Sequence, residues 1–298
     1  MDHACSDGSV RRRDSPIARI RSTAVRSSSR SDVPPTSPRR AIIPCGGRGT
    51  RMAALTRGTP KELLPVGGVP VLQRVLGECA ASGVSEVLIV TAPGKEAIER
   101  FAAPFAGMRG MPARIEFVTQ HDARGLADAI RHGRAFADGE ATAVALPDNL
   151  FVGAAPAIAQ VGALFAATGM NVVGIAEVFA RDAALCGPSA VYPGRREGDL
   201  FRIERIPDKG SRGSTFDTGG APSALTGVGR YVFTTDAFDV IDEVEHGLAP
   251  GAELDDIPLM RTLLARGKLV GCVLHGRFLD VGLAAGYRDA DEVLAAEA

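Results

Sequence analysis

From Ala41 onward, short apolar runs alternate with amphipathic stretches. The runs "AIIPC" (41–45), "EVLIVT" (86–91), "RIEFVT" (114–119), "TAVALP" (142–147) and "NVVGIAEV" (171–178) have the length and β-branched content of strands. Between them the pattern turns helical. Val71, Leu72, Val75, Leu76 and Cys79 recur on one face of 70–82, and a second helix is predicted over 125–136. This alternation is the rhythm of βαβ units around a mainly parallel sheet. Between Cys186 and Phe233 the strand-like pieces shorten to "PSAVYP", "LFRIERI" and "GVGRYVF", divided by Gly, Pro and Ser. The stretch "DKGSRGSTFDTGGAPS" (208–223) predicts a mobile loop. Helices are predicted over 235–245 and 256–266, the second with Ile257, Met260, Leu263 and Leu264 on one face. A last strand, "KLVGCVL" (268–274), and a closing helix over 283–297 complete the chain.

Composition sharpens the picture at the ends. The 298 residues suffice for one large domain or two modest ones. Residues 1–40 carry nine Arg against four Asp and almost no large apolar side chain, so they hold +5 of a total charge of −1 and leave −6 on the remainder. Such a segment cannot bury enough surface to offset its ordering entropy, which predicts a disordered tail over 1–40 and a folded body over 41–298. A slightly acidic body argues against a nucleic-acid partner, which would demand a broad basic face. Cysteines at 5, 45, 79, 186 and 272 show no metal-ligand spacing and predict a reducing, cytoplasmic setting. No apolar run reaches 18 residues, so no membrane span is expected.

The chemistry concentrates in "CGGRGTRMAALTRGTPKELLPV" (45–66), directly after the first strand. A strand feeding a Gly-rich loop exposes backbone N–H groups to an anion, and Gly46, Gly47 and Gly49 place no Cβ in the way. Arg48, Arg51 and Lys61 add positive charge where a polyanion needs it. Neither the Walker pattern nor G-x-G-x-x-G is completed, since Met52 stands where the third glycine of the latter belongs. Gly47-Arg48-Gly49 alone reads better as a plain strand-to-helix turn than as a phosphate site.

As a whole, G-G-x-G-T-R, eight residues and then P-K-E-L-L-P-V resembles the N-terminal signature of the sugar-1-phosphate nucleotidyltransferases. Within them it is most like the bacterial UTP:glucose-1-phosphate uridylyltransferases (UDP-glucose pyrophosphorylases). Further landmarks follow in the family's order. "TQHDARGLADAI" resembles the segment that places Gln120 and Gly125 near the nucleotide base. "ALPDN" resembles the strand end whose Asp holds a metal, here Asp148. "CGPSAV" matches the segment whose Gly, here Gly187, touches the sugar. "FRIERIP" resembles a Val-Val-Glu-Lys-Pro motif and gives Glu204 and Arg205, with Arg in place of the usual Lys and the Pro delayed to position 207. Lys209 is a substitute cation if the following loop folds back. "GVGRYVF" and "FLDVGLAAGY" complete the series, the latter supplying Asp280.

The resemblance implies a Rossmann-like three-layer α/β fold with a nucleotide-binding part over about 41–150 and a sugar-binding and C-terminal part over about 151–298. It implies an enzyme that joins a nucleoside triphosphate to a sugar-1-phosphate, leading to UDP-glucose from UTP and glucose-1-phosphate, and a homo-oligomer, dimer or tetramer. It also implies roles. Cys45, Gly46, Gly47, Gly49 and Thr50 cradle the triphosphate, Arg51 holds the leaving pyrophosphate, and Lys61 stabilises the reacting phosphates. Asp148 and Asp280 carry Mg²⁺, while Gly187, Glu204 and Arg205 bind the sugar phosphate. A related sugar or base, or a non-catalytic nucleotide-sugar sensor, is the alternative.

Overall fold

In the computed structural model, which describes Met1 and residues 36–296 apart from Arg48, Arg212 and Pro250, the segment from 36 onward is organised around one nine-stranded sheet. The expected tail over 2–35 lies outside the described residues. Its predicted end at 40 shifts, because Pro38 is buried and Arg40 already opens the first strand.

The strands of the large sheet are β1 (Arg40–Pro44), β2 (Glu86–Thr91), β3 (Arg114–Thr119) and β4 (Thr142–Ala145) in the first half. After β5 (Asn149–Val152), which belongs to a small separate ladder, come β6 (Asn171–Phe179), β7 (Gly194–Glu197), β8 (Leu200–Ile203), β9 (Ser223–Phe233) and β10 (Leu269–Val273). The spatial order is β3-β2-β1-β4-β9-β6-β10-β8-β7. The first four strands are mutually parallel and β6 pairs parallel with β10, whereas β9 runs antiparallel to both of its neighbours. The sheet is therefore mixed, with four consecutive parallel strands, β3-β2-β1-β4, at one end. β11 (Arg277–Asp280) pairs antiparallel with β5 and sets Asp280 opposite Asn149.

The apolar strands are those covered on both faces. Ile42 and Ile43 on β1 and Val87 and Ile89 on β2 are fully buried. On one face lie α1 (Val71–Ala81), α2 (Glu96–Ala102) and the closing helix, with Leu72, Val75, Leu76 and Ile98 in one cluster with Ile43 and Ile89. On the other, α3 (Leu126–Arg131), α5 (Asp236–His246) and α6 (Asp256–Ala265) pack Ile130, Phe238, Ile241, Leu259 and Leu263 against Ile42 and Val144. α4 (Ala157–Thr168) covers β6 and β9, and α7 (Ala284–Ala296) closes the chain. Among the described residues, no helix is long and apolar enough to cross a membrane.

Three predicted elements differ. The helix expected over 125–136 is interrupted after Arg131 and resumes as a single turn at Arg134–Ala137; the break falls where the chain approaches β1 at Gly133, where a Cβ would sit 2.3 Å from Ile42 Cδ1. "PSAVYP" forms no strand and contributes one isolated bridge, Val191 to Thr226. The strand predicted from "GVGRYVF" begins earlier, at Ser223, so the expected loop ends at 222.

Candidate active site

In an open parallel sheet, ligands gather beyond the carboxyl ends of the strands, where the chain's winding reverses. Here β2 and β3 extend from one side of β1 and β4 lies on the other, so the reversal falls between β1 and β4. The loop after β1 is the Gly-rich segment, and the turn after β4 carries Asp148.

The Gly-rich loop is anchored from below. Cys45 is fully buried, donates its N–H to Val90 O (2.7 Å), and accepts Lys95 Nζ on its carbonyl (2.5 Å). Burial pushes the Cys45 thiol well above its ordinary range, which fits a packed side chain rather than a nucleophile. Lys95 also contacts both carboxylate oxygens of Glu62, at 3.1 and 3.2 Å, and Glu62 is only 1% exposed. The loop glycines do different work. A Cβ at Gly46 would meet Gln120 Oε1 at 2.9 Å, whereas one at Gly47 would meet nothing within 4 Å. Gly49 has φ +63°, and the methylenes of Lys61 pass beside it. Thr50 opens a short 3₁₀ turn, Thr50–Met52, that leaves Arg51 exposed; Arg48 lies outside the described residues.

Gln120 meets this loop at Gly46 and is tied in turn to Gly125. Gln120 is buried and donates through Nε2 to Asp128 Oδ2 (2.7 Å) and Gly125 O (3.2 Å). Gly125, at φ +121°, starts α3 and lies against the backbone of Leu254, so closely that a Cβ would sit 2.5 Å from Leu254 O. The glycine is thus required by both its dihedral and its neighbour.

The charged centre joins residues far apart in sequence. Lys61 Nζ donates to Asp148 Oδ2 at 2.5 Å. Asp280 accepts the N–H of Gly187 on Oδ2 (2.7 Å) and that of Gly282 on Oδ1 (2.8 Å). A Cβ at Gly187 would lie 3.1 Å from Asp280 Oδ2 and 3.2 Å from Arg51 Nη1, so Arg51 closes the ring. A Cβ at Gly282 would lie 3.0 Å from Asp280 Oδ1 and 3.2 Å from Asp148 Oδ2, which places the two carboxylates around one small gap.

The electrostatics follow from that enclosure. Burial opposes the charges on both Lys61 and Asp148, but their mutual attraction prevails: Lys61 is raised and Asp148 lowered. Asp280 goes the other way, raised by burial and then by the negative charge of Asp148, against the two N–H groups it accepts. Among the described residues, Lys61 is the one cation hydrogen-bonded to these two close carboxylates, which are poised to take another.

The acceptor side is only partly assembled around this centre. Gly187 is inside it. Glu204 and Arg205 are exposed and line an open groove with Arg261, Leu264 and Ala265 of α6, and no hydrogen bond or ion pair between described residues joins them to Lys61, Asp148 or Asp280. The chain after them does fold back, since Gly210 N donates to Pro188 O (3.0 Å). Lys209, however, is committed to Asp255 Oδ2 (2.8 Å) and Asp256 Oδ1 (2.6 Å) at the start of α6. Glu62, Lys95 and Arg230 were not singled out from the sequence. A charged residue inside the apolar run "GVGRYVF" was the one available signal, for Arg230; Lys95 offers none.

The chain is similar to known proteins over most of its length. The profile of the nucleotidyl transferase family matches residues 40–297. A Bacillus subtilis (strain 168) protein with a provisional UTP–glucose-1-phosphate uridylyltransferase name is 33% identical over 266 residues, covering 84% of this chain and 94% of the relative. A UTP–glucose-1-phosphate uridylyltransferase of Staphylococcus epidermidis is 28% identical over 267 residues, covering 84% of this chain and 89% of the relative. A UDP-glucose pyrophosphorylase solved with UDP-glucose superposes with a TM-score of 0.73 at 25% identity, over 88% of this chain and all of that one. The expected Rossmann-like α/β fold and the expected resemblance are both borne out, and the chain belongs to the nucleotidyl transferase family of enzymes.

Proposed function

We propose that the enzyme transfers the uridylyl group of UTP to glucose-1-phosphate, forming UDP-glucose and releasing pyrophosphate. The observation that carries the chemistry is the convergence of Lys61, Asp148, Asp280, Gly187 and Arg51 beyond the switch between β1 and β4. The choice of UTP and glucose-1-phosphate is supported by the names of the relatives that span nearly the whole chain.

An oxygen of the sugar phosphate attacks the α-phosphorus in line, a bond forms there, and the bond to the β-phosphate oxygen breaks. The attacking oxygen is already ionised, so no general base is needed, and the protein's work is positioning and charge neutralisation. The 46–50 backbone approaches the triphosphate at the unobstructed Gly47, and Arg51 faces the departing pyrophosphate. Lys61 releases part of its hold on Asp148 to stabilise charge building between the reacting phosphates. Gly46, Gln120 and Gly125 shape the base side, and Gly187 borders the sugar. Glu204 and Arg205 reach the sugar phosphate only if their segment closes over the site, because in this state they face the α6 groove.

Asp148 and Asp280 fit Mg²⁺: both are hard oxygen donors around one gap, and two carboxylates leave coordination positions for phosphate and water, as this ion prefers. Mg²⁺ held there would neutralise phosphate charge and orient the α-phosphoryl group.

The test is pyrophosphate release by purified protein over a grid of nucleoside triphosphates and sugar-1-phosphates, with Lys61→Ala as blank. Signal with UTP and glucose-1-phosphate, lost in the blank, is expected. Signal confined to another pair would replace the substrate and keep the chemistry, and nucleotide-sugar binding without turnover would point to a sensor.

A further inference from the structure

Arg230 is completely buried in the middle of a strand, where a guanidinium is costly unless every donor is paired. Here all five are. Nε and Nη2 fork onto Glu78 of α1 at 3.0 and 2.6 Å, and Nη1 donates to Leu146 O and Gly229 O, both at 2.9 Å. The second Nη2 hydrogen goes to Asn149 O at 2.7 Å. The two carbonyls at Leu146 and Asn149 flank Pro147 and Asp148, so one rigid planar group holds both ends of the turn that presents the Asp148 carboxylate.

The backbone is built to put it there. Opposite β6, the register of β9 slips between Val228 and Tyr231, leaving Gly229 and Arg230 as a bulge. Bulges re-aim a side chain and recur beside active sites. Gly229 permits the approach: a Cβ there would sit 2.4 Å from Leu146 Cβ, and its N–H donates to Asn149 Oδ1 (2.7 Å), a further tie to the same turn. Glu78 is fixed in turn by the N–H of Ile158 at the start of α4 (3.0 Å).

We infer that Arg230, locked by Glu78, is a positioning residue that sets the Leu146–Asn149 turn so that Asp148 meets both Lys61 and the gap it shares with Asp280. This rests on the reading of Asp148 as a carboxylate that serves Mg²⁺ and phosphate. Stability alone would ask only that the donors left over from Glu78 find some acceptor; it would not require the bulge, nor that two of those acceptors be the carbonyls flanking Pro147 and Asp148. Lysine at 230 would keep the charge opposite Glu78 but cannot hold both carbonyls with one planar fork.

The experiment is calorimetric binding of UTP to the full-length protein with and without Mg²⁺, alongside kcat, for wild type, Arg230→Lys, Asn149→Ala and Asp148→Asn. In Arg230→Lys the Mg²⁺-dependent gain in UTP affinity falls about tenfold, kcat falls by at least as much, and Mg²⁺-free affinity stays within about twofold, all measured well below its melting temperature. Asn149→Ala, which removes the tie to Gly229 (2.7 Å) and the longer contact from the Asn149 amide to Asp148 Oδ1 (3.4 Å) while leaving the Asn149 carbonyl on Arg230, moves the same quantities in the same direction by less, and it decides the matter if Arg230→Lys does not fold. A folded Arg230→Lys with the full Mg²⁺ gain, or an unchanged Asn149→Ala where the lysine variant does not fold, overturns the positioning role. If Asp148→Asn itself keeps the full gain, the metal reading of Asp148 is wrong and this inference goes with it.

Discussion

Lys61 Nζ and Asp148 Oδ2 stand 2.5 Å apart across 87 residues of chain, with side chains only 16% and 19% exposed. A pair so enclosed is not a surface salt bridge. Its attraction is less screened, and removal of one member leaves the other with an uncompensated charge. It is also the link between the Gly-rich loop and the turn after β4.

Replacing Lys61 by Ala removes the ammonium from the centre of the proposed reaction. Loss of one preorganised group that stabilises developing charge commonly costs about 10²–10³ in rate. The expected result is a kcat lower by that order with a KM for UTP changed much less, since the loop amides and Arg51 remain. A Lys61→Ala enzyme with kcat within tenfold of wild type would remove Lys61 from the chemistry.

Asp280 gives a pH prediction whose sign can be worked through. Its carboxyl is raised by burial and by the charge of Asp148, so on acidification it gains a proton above the ordinary aspartate value of about 3.9. A protonated Asp280 cannot hold a cation. The acid limb of kcat/KM, which reports the free enzyme, therefore lies above the ordinary aspartate range, and higher Mg²⁺ moves it to lower pH by competing with the proton. An acid limb that does not move between low and saturating Mg²⁺ contradicts this assignment.

The glycines separate into two groups that thermal melting and kinetics distinguish. At Gly286, a Cβ would lie 2.0 Å from Asp280 O and 2.4 Å from Leu185 O, both backbone atoms that no rotamer change can move. Gly286→Ala forces α7 away from Asp280 and should cost about 1–3 kcal/mol together with activity. Gly47→Ala meets nothing and needs no unusual φ, so its melting temperature should stay near wild type while the KM for UTP rises, because the new methyl group stands where the phosphate approaches.

Those contrasts bear on what could be read from the residues alone. Two parallel strands, the buried "EVLIVT" and the half-buried "RIEFVT", were legible to the residue, and the strands around Ile42 and Val144 to within one or two residues, because an apolar run bounded by polar turns has few other uses. The ladder of β5 and β11 was not, since four-residue strands with half-buried alternation resemble loops, yet it is what brings Asp148 and Asp280 together. Lys61, Asp148, Asp280 and Gly187 were legible because they sit in short segments with a shared pattern. Arg230, Glu78, Glu62 and Lys95 work through burial and long-range pairing, which local patterns do not encode. Glu204 and Arg205 show the converse: a recognisable segment whose side chains point into a groove beside α6 in this state.

Glu62 and Lys95 allow stability and loop geometry to be separated. In Lys95→Met, Glu62 keeps a charge at 1% exposure with its direct cationic partner gone, an arrangement that commonly costs about 3–5 kcal/mol. Cys45 O loses the ammonium that it accepts at 2.5 Å, so the Gly-rich loop also loses its anchor. Adding Glu62→Gln removes the stranded charge and should restore most of the stability, because two neutral groups replace the pair. It does nothing for Cys45 O. The expected pattern is therefore a denaturation midpoint that falls in the single variant and recovers in the double, with a KM for UTP raised several-fold in both. A KM that recovers along with the midpoint would mean that Lys95 acts only through overall stability, and that the loop holds its shape without it.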